Sequence, residues 1–278
     1  MSTTYKGIDV SKWQAEIDWE RAKAGGVEFA MLRAGYGQGN IDDKFKRNAD
    51  ECTWLGIPFG VYWFSYAYNV ERARREAQYC IEAIKPYKLA YPVAFDFEYD
   101  SVNNAAKKGV TITKQLASDM TRAFCEEIRA AGYTPIVYAN PDYLSRYFDA
   151  DIASRYDIWL AQWPKNPDVN NPPRECAMWQ YSNSGTISGI SGHVDMNVCY
   201  KDYEGDEDDM TVERFAELMG EYRKMLQDKP VSSWAQGAMD WAVSTGLIEG
   251  NESGGTMPQD FLTREQFVTV MQRYDNQR

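Results

Sequence analysis

The sequence runs to 278 residues, 44% of them apolar and 26% charged, with a formal net charge of −11. That length accommodates one barrel-sized domain and a smaller second unit, and the composition is that of a packed globular chain. The acidic balance excludes a nucleic-acid partner and adhesion to anionic membranes, and no apolar run approaches the roughly 18 residues that insert across a bilayer.

The elements follow in order. Met1-Ser2-Thr3-Thr4-Tyr5-Lys6 lacks the apolar core of a secretion signal. Gly7-Ile8-Asp9-Val10-Ser11 alternates like a short strand, and Asp18 is placed to cap a helix that closes at Gly25-Gly26. Residues 29–37 form a second strand that runs into a glycine-bearing loop without the frame of a phosphate-binding motif. A helix over residues 45–55 ends at Gly56, and residues 59–65 form a third strand. Asn69 caps a long charged helix through Ile84, whose run over residues 71–76 reads as a solvated face.

The fourth strand, Tyr91-Pro92-Val93-Ala94-Phe95-Asp96-Phe97-Glu98, begins as a continuous apolar run suited to burial on both faces. On a strand, residues i and i+2 share a face about 6.5–7 Å apart, so Asp96 and Glu98 point into one space. A helix over residues 113–131 carries Leu116, Met120, Phe124 and Ile128 at intervals of four, and residues 135–140 form the fifth strand. Up to this point strand and helix alternate, which means parallel strands. Three further strands, at 158–163, 177–181 and 193–198, are joined by Pro/Asn/Gly/Ser loops without helices. Eight strands, five with helices and three without, fit an irregular closed α/β barrel whose C-terminal strand ends hold the chemistry. Asp9, Asp96, Glu98 and Asp195 all fall at or near such ends.

Other residue types narrow the chemistry. Cys52, Cys80, Cys125, Cys176 and Cys199 are scattered without a CxxC pair and read as small buried apolar residues, neither a disulfide framework nor a zinc site. The single histidine, His193, has no nucleophile elbow near it and reads as a hydrogen-bonded structural residue. Nine Trp and nineteen Tyr supply flat apolar faces with polar edges, which suit sugar rings as well as cores. Asp42, Asp43 and Asp100 read as loop or cap residues.

Residues 204–210 are acidic and read as a linker. Beyond them Thr211-Val212-Glu213-Arg214-Phe215-Ala216-Glu217-Leu218-Met219 echoes Thr263-Arg264-Glu265-Gln266-Phe267-Val268-Thr269-Val270-Met271, and Tyr222 and Tyr274 extend the register. Trp234, Ala238, Trp241 and Ala242 lie between them at helical spacing.

Taken together, Gly7-Ile8-Asp9-Val10-Ser11-Lys12-Trp13-Gln14, Ile17-Asp18-Trp19, Arg33-Ala34-Gly35-Tyr36-Gly37, Phe95-Asp96-Phe97-Glu98 and Val194-Asp195-Met196-Asn197-Val198 resemble glycoside hydrolase family 25, the Chalaropsis-type lysozymes common among phage endolysins. The resemblance covers about residues 5–203. It implies an irregular (β/α)5β3 TIM-like barrel (residues 1–203) that hydrolyses the β-1,4 bond from N-acetylmuramic acid to N-acetylglucosamine in peptidoglycan with retention, without metal or cofactor. By matching position, Glu98 would be the general acid, Asp96 the nucleophile or the orienter of the substrate's acetamido group, and Asp9 and Asp195 the supporting carboxylates.

Tyr62, Tyr66, Tyr138, Trp159, Gln162 and Trp179 lie in segments resembling the family's. Tyr62 and Tyr138 are expected to line the sugar groove, while Trp159 and Trp179 read as groove or core. Arg33 would bind substrate carboxylates or pair with Asp9 or Asp96. A non-catalytic glycan-binding barrel would keep the aromatics without needing Glu98 or Asp96, and a hydrolase of another glycan such as chitin stays open on residue chemistry alone.

Residues 211–278 resemble an S-layer homology module, in one full copy preceded by one second-half helix. That implies a small α-helical domain binding a secondary cell-wall polymer, or serving as a homodimerisation unit through the same helix faces. With no secretion signal read at the N-terminus, the expected route is synthesis in the host cytoplasm and holin-type or lytic release to the wall.

Overall fold

In the computed structural model of the chain, the structure describes residues 4–203, 212–250 and 255–277. The chain divides into two compact units, Met1–Glu207 and Asp208–Arg278. The acidic stretch read as a linker, residues 204–210, lies outside the described residues.

The first unit runs β1 (Tyr5–Val10), α1 (Trp19–Ala24), β2 (Phe29–Tyr36), β3 (Asn40–Ile41), α2 (Phe45–Leu55), β4 (Phe59–Phe64), α3 (Val70–Ile84) and β5 (Val93–Asp96). It continues with α4 (Tyr99–Lys107), α5 (Lys114–Ala130), β6 (Pro135–Ala139), α6 (Pro141–Arg146), α7 (Ile152–Arg155), β7 (Asp157–Ala161), β8 (Met178–Gly185) and β9 (Val194–Cys199). The helix ends follow local chemistry: Asp18, Asn69, Thr113 and Asn140 each accept an N–H of the first turn, and Gly56 ends α2 in the left-handed conformation. The short elements β3, α4, α6 and α7 were not expected from the sequence.

Eight strands close in the order β1-β2-β4-β5-β6-β7-β8-β9, with β3 added as a short antiparallel hairpin on β2. Pairing is parallel from β1 round to β8, and β9 runs antiparallel to both β8 and β1. The irregular barrel expected from the sequence is therefore the fold observed. Its last three strands need no helices because a hairpin joins β8 to β9 and a loop joins β7 to β8.

The pleat sorts side chains into two cores. Ile8, Leu32, Val61, Phe95, Val137, Leu160, Trp179 and Val198 face outward and pack beneath the helices. Phe29, Met31, Tyr91, Ala94, Ile136, Trp159, Met178 and Cys199 fill the interior. Gly60 marks one close approach of backbone to backbone, since a Cβ there would stand 2.4 Å from the Pro92 carbonyl oxygen.

Two expectations about charged residues are corrected. Glu76, read as part of a solvated face, is fully buried, because α3 turns it under the loop that follows β4. Asp42, read as a loop or cap residue, does lie in the turn before α2, and it is buried there as the partner of Arg33. Arg33 Nε and a guanidinium N–H of Arg33 each reach Asp42 Oδ2 at 2.7 Å, while the Lys44 N–H reaches Asp42 Oδ1 at 2.9 Å. The partner of Arg33 is thus Asp42, not Asp9 or Asp96. The five cysteines are free thiols, all buried except half-buried Cys176.

The second unit contains α8 (Val212–Gln227), a 3-10 turn over Ser233–Ala235, α9 (Gln236–Ser244) and α10 (Arg264–Asn276). Arg223 grips Asp260 through two bonds of 2.9 Å, and Gln227 adds a third at 2.8 Å. Thr263 and Gln266 cap α10 reciprocally. Large apolar side chains stay open on this unit: Phe215 and Phe267 are about half exposed and Trp234 is 89% exposed.

Candidate active site

Along five of the strands the inward positions change from apolar at the bottom of the barrel to polar at the top. Met31 gives way to Arg33, Ala94 to Asp96, Ile136 to Tyr138, Met178 to Gln180 and Cys199 to Asn197. Of these polar ends Arg33, Asp96, Tyr138 and Gln180, with Asp9, Ser11, Trp13, Tyr62, Glu98 and Asp195, line a pocket of about 190 Å³ at the mouth, and Asn197 reaches it only through Asp9. Its floor is Trp159, whose ring meets Tyr138 edge-on at 4.9 Å and Tyr62 at 6.0 Å.

Two carboxyl pairs face this space. Asp9 and Asp195 are directly opposed across the β1–β9 pairing and hydrogen-bond to each other. Asp9 Oδ2 also accepts from Gln180 Nε2 and Asn197 Nδ2, both at 2.8 Å. Asp96 ends β5, and Glu98 is the N-cap of α4 with its backbone N–H held by the Ser101 hydroxyl at 3.0 Å. The intervening Phe97 turns outward to stack on Phe95, which keeps Asp96 and Glu98 on the inner side beyond the last ladder bond.

Electrostatics follow from the crowding. Burial pushes Asp96 and Glu98 up, the neighbouring Glu98 charge raises Asp96 further, and the two share a hydrogen bond. Asp9 is pushed well up by burial and then by Asp195, and burial raises Asp195. Like charges this close cannot all ionise, so each pair holds a proton in the pH range where a free carboxyl has lost it. The hydrogen bond between Asp96 and Glu98 raises Asp96 and lowers Glu98, so the shared proton rests on Asp96 and must cross to Glu98, the half-buried member of the pair, before it can reach a group in the pocket. Asp96 lies deeper, and its Oδ1 is buried without a protein donor. Among the described residues no group of three His, Cys, Asp or Glu side chains is placed to hold a metal ion.

The sequence profile of Glycosyl hydrolases family 25 matches residues 8–190, and that of the S-layer homology domain matches residues 228–268. The chain belongs to glycosyl hydrolase family 25. Lysozyme M1 of Streptomyces globisporus is 26% identical over 198 residues, 69% of this chain and 66% of the relative. The uncharacterized protein YegX of Escherichia coli K12 is 28% identical over 208 residues, 71% of this chain and 70% of the relative. Among solved structures, the modular autolysin LytC of Streptococcus pneumoniae superposes with a TM-score of 0.61 at 30% identity, over 71% of this chain and 47% of LytC. A family 25 glycosyl hydrolase of Bacillus anthracis gives a TM-score of 0.60 at 26% identity, over 73% of this chain and 92% of that one. The chain thus spans about half the length of the autolysin it matches.

Within the family 25 barrel, the structure brings Asp9, Asp96, Glu98, Asp195, Arg33, Tyr62, Tyr138 and Trp159 to one pocket. Asp195 is the second residue of β9, not near a C-terminal strand end; it reaches this mouth because β9 runs against its neighbours. Three other candidates do not line the pocket. Trp179 points outward, packs against Tyr181 and donates to the Gln162 carbonyl at 2.8 Å, because it alternates with inward-facing Gln180. Gln162 extends the β7–β8 pairing through its backbone N–H to Gln180. Tyr66 sits behind Phe64, their rings 5.1 Å apart.

The sequence reading assigned no role to Gln180, Asn197, Ser101 or the 51%-exposed Trp163, whose indole N–H donates to Gln180 Oε1 at 3.0 Å. For Asn197 a signal existed: it stands two positions after Asp195 and so on the same face.

Proposed function

We propose that the barrel is an N-acetylmuramidase that cleaves the β-1,4 bond from N-acetylmuramic acid to N-acetylglucosamine in peptidoglycan. The observation that carries this reading is the meeting of two hydrogen-bonded carboxyl pairs at one aromatic-floored groove. An oxocarbenium-like transition state needs a protonated and an ionised carboxyl flanking the bond. Glu98 gives the shared proton to the leaving oxygen as the glycosidic bond breaks. Asp96 faces the positive charge that develops at the sugar carbon, either attacking it or accepting from the N–H of the neighbouring acetamido group. The buried, unpartnered Asp96 Oδ1 favours the acceptor role. Support for the substrate comes from the lysozyme and autolysin relatives, one of which has been solved with a synthetic peptidoglycan ligand.

Clearing of a suspension of purified walls tests this. Glu98→Gln is expected to lower the rate by roughly 10²–10⁴-fold with wall binding retained. Wild-type protein that binds walls without clearing them, or cleared walls lacking new reducing muramic acid ends, would refute the reading. A fluorinated substrate analogue separates the two roles of Asp96, since only a nucleophile yields a covalent adduct by mass spectrometry.

For the second unit we propose retention at the wall through a cell-wall polymer, on the strength of the S-layer homology match and the open Trp234 and Trp241. Self-association is the alternative, because α8 and α10 repeat the same half-exposed Phe and Tyr positions. Binding to walls before and after removal of their secondary polymer, together with sedimentation of the free protein, distinguishes them.

A further inference from the structure

A 3-10 turn over Lys12–Gln14 follows β1 at the rim of the groove. Its backbone is fixed. The Ser11 hydroxyl accepts the Trp13 N–H at 3.3 Å, Gln14 Oε1 accepts the Ser11 N–H at 2.9 Å, and Asp42 Oδ2 accepts the Lys12 N–H at 3.2 Å. On this pedestal Trp13 lines the pocket while 76% exposed, which leaves an open indole face on which a sugar ring can stack. The Lys12 ammonium sits 5.6 Å from the centre of the Trp13 ring and 5.8 Å from that of Tyr36. Arg33 lies against the same Tyr36 ring at 5.7 Å.

These two cations differ in what already holds them. Arg33 is committed to Asp42, whose side chain is wholly buried, through two contacts of 2.7 Å. Lys12 meets Asp43 at 3.4 Å, and the Asp43 side chain is 73% exposed. An ion pair that long and that wet contributes little, so the ammonium can exchange it for another carboxylate with little loss. A wall substrate supplies one, because N-acetylmuramic acid differs from N-acetylglucosamine by a 3-O-lactyl arm that ends in a carboxyl group or in the peptide stem joined to it. Such a substrate approaches a mouth lined by four carboxyl groups in a chain of net charge −11, which repels it.

Resting on the muramidase reading, we propose that Lys12 is a specificity-determining residue of the groove. A sugar stacked on Trp13 places a carboxylate of its lactyl arm or stem against the Lys12 ammonium. This contact favours wall glycan over chitin, which carries no carboxylate. The substrate-carboxylate role expected of Arg33 falls to Lys12.

Binding to the full chain is measured in a Glu98→Gln background, where no bond breaks. The soluble probes, free of secondary polymer, are amidase-stripped glycan strands with free lactyl carboxylates, stem-bearing strands, and the N-acetylglucosamine hexamer. Lys12→Gln is expected to weaken the carboxylate-bearing strands about three- to tenfold and to leave the hexamer unchanged. Lys12→Arg keeps most of the affinity, and about 0.5 M salt removes the difference between Lys12 and Gln. Asp43→Asn, which takes away the competing carboxylate, should tighten the same strands and not the hexamer. A deficit confined to stripped strands assigns the contact to the lactyl carboxylate, and one confined to stem-bearing strands assigns it to the stem. Equal weakening of every probe, or of none, would overturn the proposal: the first leaves Lys12 a support for Trp13, the second a bystander. Wild-type protein that clears no walls defeats the muramidase reading alone, since these affinities need no cleavage.

Discussion

Asp42 shows how much can rest on one carboxylate outside the reaction. It neutralises Arg33 beside the groove and holds the backbone N–H groups of Lys12 and Lys44. Asp42→Ala would leave the guanidinium buried without a partner, and a loss of about 3–5 kcal/mol in urea unfolding is expected. The pairing was not legible in the sequence because Asp42 follows a strand of only two residues, too short to leave a periodic pattern. Glu76 is a second such residue. Its carboxylate accepts from Gln38 at 3.0 Å and from the Tyr66 backbone N–H at 3.2 Å, tying two loops behind the groove. Burial pushes its pKa to about 7 from the ordinary 4.5. The fold thus keeps a proton that the unfolded chain releases near pH 4.5, and stability is lost as pH rises from there toward 7. The loss amounts to on the order of 3 kcal/mol. Glu76→Gln keeps an acceptor for both loops, so its melting temperature is expected to match wild type near pH 4 and exceed it at pH 8.

At the scale of elements, alternation was the readable signal and register was not. The argument that Asp96 and Glu98 share a face survives although β5 ends at Asp96, since Phe97 is anchored between Phe95 and Tyr143. Phe97→Ala is expected to cost about 3–5 kcal/mol. It should also depress kcat beyond what lost stability explains, because Glu98 loses its tether; kinetics well below the melting point check this. Trp159 and Trp179 looked equivalent as residues. Only the parity of β7 and β8 sends the first under the groove and the second beneath the helices. Parity also concealed Gln180, which reads in isolation as a polar interruption between two aromatics. The direction of β9 was likewise hidden, as a hairpin and a crossover can both follow a Gly/Ser-rich loop.

For the whole molecule, Asp9, Asp96, Glu98 and Asp195 all ionise less readily than free carboxyls, each chiefly through burial. Each therefore favours the folded state below about pH 4 and withdraws that support as pH climbs toward its raised value. Wild-type thermal stability is expected to decline from mildly acidic to alkaline pH, and Asp9→Asn should flatten the decline in scanning calorimetry. The eight-stranded closure and the four carboxylates were legible in the residues, whereas the hydrogen bonds that apportion their protons depend on partners up to 188 positions apart. That separation has a kinetic counterpart. The seam between β1 and β9 joins the earliest strand to the latest, so its loop-closure entropy is the largest in the barrel and its pairing is among the last to be rewarded during folding. On the ribosome, nascent chains arrested before residue 199 should remain open to proteases, and hydrolytic competence should arrive abruptly once that strand emerges.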